Sequence, residues 1–432
     1  MNIEKIKEEA QRVSEIKPVK FDELTEIVSK HILLSDPYIL KILVAAVIAN
    51  KLPCDPVWIF LVGPSGGGKT MFLDMLRDMR EIYPLSNLTP NTFISGQQHT
   101  QGLLWEIDKK ILIFKDFTTI LQLYQESRNE IMSQLREIYD GAYKKAFGTG
   151  QAKGWTGKVG FIAGVTAHID VTSQLYSSLG ERFIQYRLIT PEREDVGMYA
   201  LNNSSRKRST QDNARIEMRK AFEACVRGAE QYIEEDIEMN LDDDQKKKLV
   251  KIANFTTLSR SPVMRDSGPG REVYYKPTSE MPTRFTQQLN LLAITLMLIN
   301  KANGYAQALL PEDEDLIYKI ALDSIPMMRR TMLQKLAEFT TTTTTVVATL
   351  TNYPTSTTRR ILEDLNVLGI IDRKKDKKND YWQIKDEFQS LLIKYDHITP
   401  LTETQKLAME ADALEKSLED DQLIPDYPYD NQ

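Results

Sequence analysis

Gly63-Pro64-Ser65-Gly66-Gly67-Gly68-Lys69-Thr70 is the stretch from which the rest of this chain can be understood. It matches the spacing G-x4-G-K-[ST], in which small residues let successive backbone N–H groups turn inward at the positive end of a helix. A phosphate group needs such converging donors. Lys69 then supplies a point charge to the outer phosphates, and the Thr70 hydroxyl is placed to bind a magnesium ion. The flanks agree with this. Residues 57–62 form an apolar run of strand length that ends directly on the loop, and residues 70–80 have helical periodicity. Strand, glycine loop and helix in that order predict a nucleotide-phosphate site for ATP and Mg2+ made by Gly63, Pro64, Ser65, Gly66, Gly67, Gly68, Lys69 and Thr70.

Further apolar runs follow at 92–94, 111–114 and 159–165, mostly separated by helical stretches. The fold expected is therefore an α/β P-loop core with a mainly parallel sheet and helices on both faces. Ahead of it, residues 1–50 read as helical, and Pro53 and Pro56 end that segment. The run 111–114 leads into Lys115-Asp116, where a carboxylate is needed to hold the magnesium shell and orient water. Asp116 could hold the magnesium and leave the base unassigned. It could equally occupy the base position, with Lys115 where the magnesium acid normally sits.

The bulk numbers exclude several classes. The chain has 432 residues, too many for one ordinary core, so two or three domains are expected. Its apolar runs are too short to span a membrane, and Met1-Asn2-Ile3-Glu4-Lys5 lacks a signal-peptide core. Only Cys54 and Cys225 are present, and the four histidines are scattered, so neither a disulfide framework nor a structural metal is expected. These features predict a cytoplasmic protein with no membrane partner. The net charge of −6 is uneven: residues 401–432 carry nine acids and two lysines, which leaves the remainder at +1. An acidic total therefore does not argue against nucleic acid.

From residue 20 to about 300 the order of motifs resembles the AAA+ family of ring-forming ATPases. The resemblance implies a phosphate-sensing residue at the tip of the strand after Asp116, which is Thr166 in Val165-Thr166. It implies an arginine reaching into a neighbouring subunit's site, Arg182 in Leu179-Gly180-Glu181-Arg182-Phe183. A helical lid should add a second arginine to the γ-phosphate. Arg284 is chosen for that role, with Arg260 and Arg265 as rivals. Two short arms about Gly148-Thr149-Gly150 read as a β-hairpin inserted before the sensor strand. This looks like the pre-sensor hairpin of minichromosome-maintenance helicases and related phage and mobile-element ATPases. The resemblance implies a basic residue against DNA, for which Lys144, Lys145 and Lys153 are available. A solvated hairpin with ordinary surface lysines is the other reading.

Residues 325–395 resemble a winged helix: helices over 327–339, 346–352 and 357–368, then a basic hairpin over 370–384. Such a domain would present Thr358, Arg359 and Arg360 to a DNA groove and Lys374, Lys375, Lys377 and Lys378 to phosphates. Winged helices also dock proteins. The segments expected are thus a helical 1–50, an AAA+ core 51–195, a helical lid 196–324, a winged helix 325–395 and a disordered or loosely docked acidic tail 396–432. The function implied is an ATP hydrolase acting on DNA. It would be a ring-forming, hexameric, helicase-type motor in the replication of a phage or mobile element, with other replication proteins as partners. The alternatives are an origin-binding initiator or helicase loader, and a regulatory ATPase whose winged helix binds protein.

Overall fold

Five consecutive buried residues, Trp58–Val62, make strand β1, and a strand buried on both faces belongs in the middle of a covered parallel sheet. The computed structural model places it there. It describes residues 12, 15–94, 102–147, 152–171, 181–205, 207–233, 241–266, 272–273, 275, 278–376, 379–395 and 398–422. Beside β1 stand β2 (Ile82–Leu85), β3 (Ile111–Phe114), β6 (Gly160–Val165) and β7 (Phe183–Arg187), in the order β2-β3-β6-β1-β7 and all parallel. On one face Phe60, Phe117, Phe161 and Phe183 cluster, with Phe60 stacked on Phe183 at 3.8 Å between ring centroids.

The expected run at 92–94 is not a strand. Phe93 and Ile94 are buried in a bend, and the sheet edge is β2 instead. Pro84 sits within β2, which an edge strand tolerates because one side of its backbone needs no ladder partner. An antiparallel pair, β4 (Ala142–Ala146) and β5 (Ala152–Thr156), stands apart from this sheet. Its base is fixed by the buried cross-strand pair Tyr143 and Trp155. The Gly148-Thr149-Gly150 turn lies outside the described residues.

Helix Tyr38–Ala49 is apolar on every side, and Ile39 to Ala49 are all buried. Its one cation, Lys41, pairs with Asp313, which also accepts from Asn300 Nδ2 at 2.6 Å. Helix Arg208–Glu230 packs on Phe21–His31, Tyr38–Ala49 and the loop helix Lys69–Met75, while Thr283–Ala302 packs on Tyr38–Ala49. Every long element described between 193 and 323 is a helix. No described helix is long and apolar enough to cross a membrane.

The contacts group residues 1–172, 179–250 and 283–321 into one unit, and 173–178, 251–282 and 322–432 into a second. Residues 251–282 join the second unit because buried charges tie them there. Arg329 donates to the carbonyls of Ser259 and Ser261 at 2.8 and 2.6 Å, and Arg265 pairs with Asp364 at 2.7 Å. The second unit contains helices Met327–Glu338, Thr344–Thr351 and Thr355–Val367 and an antiparallel sheet. The sheet strands are β8 (Thr342–Thr343), β9 (Ile371–Asp376) and β10 (Asn379–Ile384), in the order β8-β10-β9. Trp382 is fully buried, and its indole N–H donates to Thr344 Oγ1 at 2.8 Å.

The acidic segment departs from expectation. Residues 403–422 form a helix packed on Thr344–Thr351, with Ala413 buried beside Phe339 and Val346 and with Met409 packed against them. Met409 and Ala413 are one helical turn apart, and this narrow apolar stripe was hidden among the acids. Residues 423–432 lie outside the described residues.

Candidate functional site

In a parallel sheet, ligands gather at the carboxyl ends of the strands. Four of the five segments that leave those ends concern the loop: the glycine loop itself after β1, Lys115-Asp116 after β3, Thr166 after β6, and residues 188–191 after β7. The loop depends on its glycines. Gly66 and Gly68 have φ of 76° and 84°, a region that L side chains rarely enter. A Cβ on Gly67 would lie 3.1 Å from the Pro64 ring and carbonyl. Lys69 is buried, and its Nζ donates to the Gly63 and Pro64 carbonyls, both at 2.7 Å. An ammonium has three N–H groups, so one remains for a ligand. Burial pushes the Lys69 ammonium down, and the Asp116 carboxylate partly offsets this, so the two charges sense each other.

Asp116 is exposed, and its Oδ1 accepts from the Thr118 amide at 3.0 Å. Thr118 in turn touches Thr166: its Oγ1 accepts from the Thr166 amide at 3.0 Å and donates to Thr166 Oγ1 at 3.3 Å. Thr166 Oγ1 also accepts from the His168 amide at 3.4 Å. Its own hydroxyl proton is therefore available to an outside oxygen. Gly164 permits this closeness, because a Cβ there would lie 2.6 Å from the Lys115 carbonyl. Thr70 is exposed on the loop helix. Its hydroxyl and the second Asp116 oxygen are hard donors of the type magnesium takes.

Beside the loop lies a cavity of about 590 Å³, within the range of small-molecule sites. Ile32, Leu33 and Leu34 form one wall and Leu188, Ile189 and Pro191 another, with Tyr199 and Arg193 also lining it. The first wall is pinned to the sheet by Asp36, which accepts from the Tyr186 hydroxyl at 2.5 Å and from the Tyr38 amide at 3.0 Å. These walls carry no sequence signal, since they are short loops without a motif. Arg193 could have been noticed only as a charge at a helix start.

The two candidate arginines lie at the other end of the sheet. Phe183 pairs with Trp58 at the amino ends of β7 and β1, and Trp58 packs edge-on against Tyr139. That end is roughly 16 Å from Gly63 at about 3.3 Å per strand residue. Arg182 and Arg284 both lie over the Tyr139 ring, at 5.6 and 5.8 Å, and Arg182 also grips Asp140. The expectation that Arg284 approaches the phosphates of its own chain is therefore corrected, because the start of its helix packs at the amino end of the strands. Its rivals are also engaged: Arg260 pairs with Glu280, and Arg265 with Asp364.

Among the hairpin lysines, Lys144 is exposed. Lys145 is turned back to the Pro90 carbonyl, Asn91 and Glu130, and Lys153 lies 5.9 Å from the Phe147 ring centre. Lys145 is thus a structural contact in this structure. In the second unit Thr358 is fully buried, which corrects its assignment to a DNA surface: it lies on the core side of its helix. Arg359, Lys374 and Lys375 are exposed, and Arg360 is half-buried. The Asp380 carboxyl is held below its ordinary range by the Arg373 hydrogen bond, with Arg359 and Lys375 adding to the effect. The start of helix Thr355–Val367 and the β9–β10 hairpin are therefore neighbours. Lys377 and Lys378 lie outside the described residues.

Compared with known proteins, the chain matches no protein-family model and no curated protein.

Proposed function

We propose that the chain is an ATP hydrolase of AAA+ type that assembles into a ring and acts on DNA. The observation that supports this most is the convergence of the glycine loop, Lys69, Asp116 and Thr166 at the carboxyl end of one parallel sheet, beside a nucleotide-sized cavity. In this reading the loop amides and the third Lys69 N–H bind the outer phosphates. The Thr166 hydroxyl donates to the terminal phosphate, and Asp116 orients the attacking water or a ligand of the metal. Magnesium, held by Thr70 and Asp116, would supply charge neutralisation at the phosphates.

Among the described residues, Arg182 and Arg284 do not reach this site from their own chain. They sit together at the amino end of the strands, so in this reading they serve a neighbouring copy's phosphates, which is why a ring is proposed. The second unit is read as a winged helix, with Arg359, Lys374 and Lys375 on DNA phosphates and base edges. Two observations favour an initiator or loader over a processive motor. The sensor strand is preceded by a single acid next to a lysine, and Lys145 of the hairpin is already engaged. ATPase activity with and without single- and double-stranded DNA, alongside the mass in solution, tests the proposal. Turnover that DNA leaves unchanged, in a protein that stays monomeric with ATP, would refute it.

A further inference from the structure

The loop strand β1 lies between β6 and β7, so the segments leaving those two strands emerge on either side of the glycine loop. One becomes Thr166, the other the cavity wall 188–191. At a strand spacing of about 4.8 Å the two ends are roughly 10 Å apart, and no ladder hydrogen bond joins β6 to β7 directly. A buried ion pair spans the gap. Arg187, the last residue of β7, donates from Nη1 to Asp170 Oδ2 at 2.9 Å and from Nη2 to Asp170 Oδ1 at 2.7 Å. The two side chains are only 10% and 12% exposed, and Arg187 Nη2 also donates to Gln185 Oε1 at 3.0 Å.

Asp170 belongs to the turn that follows Thr166. The Ile169 amide donates to the Thr166 carbonyl at 3.2 Å, and the Asp170 amide to the Ala167 carbonyl at 3.0 Å. Thr166 is therefore held from two sides, by Thr118 towards β3 and by the Asp170 turn towards β7. The β7 end is itself anchored: Lys319 Nζ donates to the Arg187 carbonyl at 2.8 Å, and the adjacent Tyr186 bonds Asp36 in the opposite cavity wall.

We infer that the Asp170–Arg187 pair is a positioning device that sets the Thr166 hydroxyl against the terminal phosphate and links it to the wall gripping the rest of the nucleotide. This rests on the proposal that the loop binds ATP. Fork-to-fork geometry suits the role, because two parallel bonds fix orientation as well as distance. Gln185 and Lys319 still hold the Arg187 end when Asp170 is lost, so the change falls on Thr166 and the third phosphate and little on ADP.

The test uses the full chain with Asp170→Ala and Asp170→Asn, the latter retaining one acceptor for Arg187. Titrations with ADP and with a non-hydrolysable ATP analogue are set beside kcat, with thermal melts as the check on folding. Asp170→Ala is expected to lower kcat about tenfold or more while ADP affinity stays within about threefold, with Asp170→Asn in between. If Asp170→Ala does not fold, the Asn variant carries the test. Two results would overturn the inference: kcat within twofold of wild type in a folded variant, or equal weakening of ADP and the ATP analogue, as general loosening would produce. Failure of the parent proposal looks different, since the unmodified chain would then bind neither nucleotide.

Discussion

Replacing Lys69 by methionine removes the ammonium while keeping a stem of similar length, so the loop gains no cavity. Lys69 Nζ already spends two N–H groups on the Gly63 and Pro64 carbonyls, and those bonds are present before any ligand arrives. The loss on nucleotide binding is thus one charge-assisted hydrogen bond, about 1.5–3 kcal/mol, plus its Coulomb attraction to a phosphate. The full attraction of unit charges 4 Å apart is about 4 kcal/mol at an effective dielectric of 20, but part is offset by the carbonyl contacts that weaken as the ammonium turns. A net loss of about 3 kcal/mol is expected, which raises Kd roughly 150-fold. Stability should change little, because relief of the Lys69 desolvation is offset by the loss of its bonds to the Gly63 and Pro64 carbonyls. Isothermal titration with ATP and Mg2+ at fixed ionic strength reads the first quantity, and a thermal melt without nucleotide reads the second. An affinity within threefold of wild type would refute the phosphate-site reasoning. A collapse of the melting temperature would instead show that Lys69 serves the fold.

Arg182→Ala should bind ATP yet hydrolyse it on the order of a thousandfold more slowly, and mixing it with the Lys69→Met protein should restore part of the turnover. No recovery at any mixing ratio would rule out an arginine supplied in trans. For the DNA surface, alanine at Arg359, Lys374 and Lys375 together should reduce the slope of log affinity against log salt by about 2.7, at roughly 0.9 per phosphate contact; filter binding on duplex DNA from 50 to 200 mM salt measures it. An unchanged slope would favour the protein-docking alternative. A pH dependence follows from Glu81: burial pushes its carboxyl up, but Arg227 and Lys51 outweigh this and hold it at about 2. Because the folded value lies below the ordinary 4.5, this stabilisation is complete above pH 4.5 and is lost as pH falls towards 2, roughly 3 kcal/mol in all. Urea unfolding between pH 5 and 3 should show the loss, and Glu81→Gln should flatten the curve; identical curves would refute it.

The glycine loop, its flanking strand and helix, and the acid-bearing strand were all legible in the residue order. Each is built from neighbours in sequence, and their chemistry follows from local backbone conformation and apolar periodicity. The helical character of 193–323 was legible for the same reason. Pro84 concealed the edge strand β2, because only its place at the sheet edge makes a proline harmless there. Nothing in sequence spacing could have joined Asp170 to Arg187, or placed Arg284 beside Arg182 over one tyrosine. Those contacts depend on which strands become neighbours, and residues far apart in sequence share the energy of that choice. The acidic C-terminal helix and the buried Thr358 make the same point on a smaller scale. Composition marks a residue as polar or charged, but whether it faces water is decided by the packing of the segment that covers it.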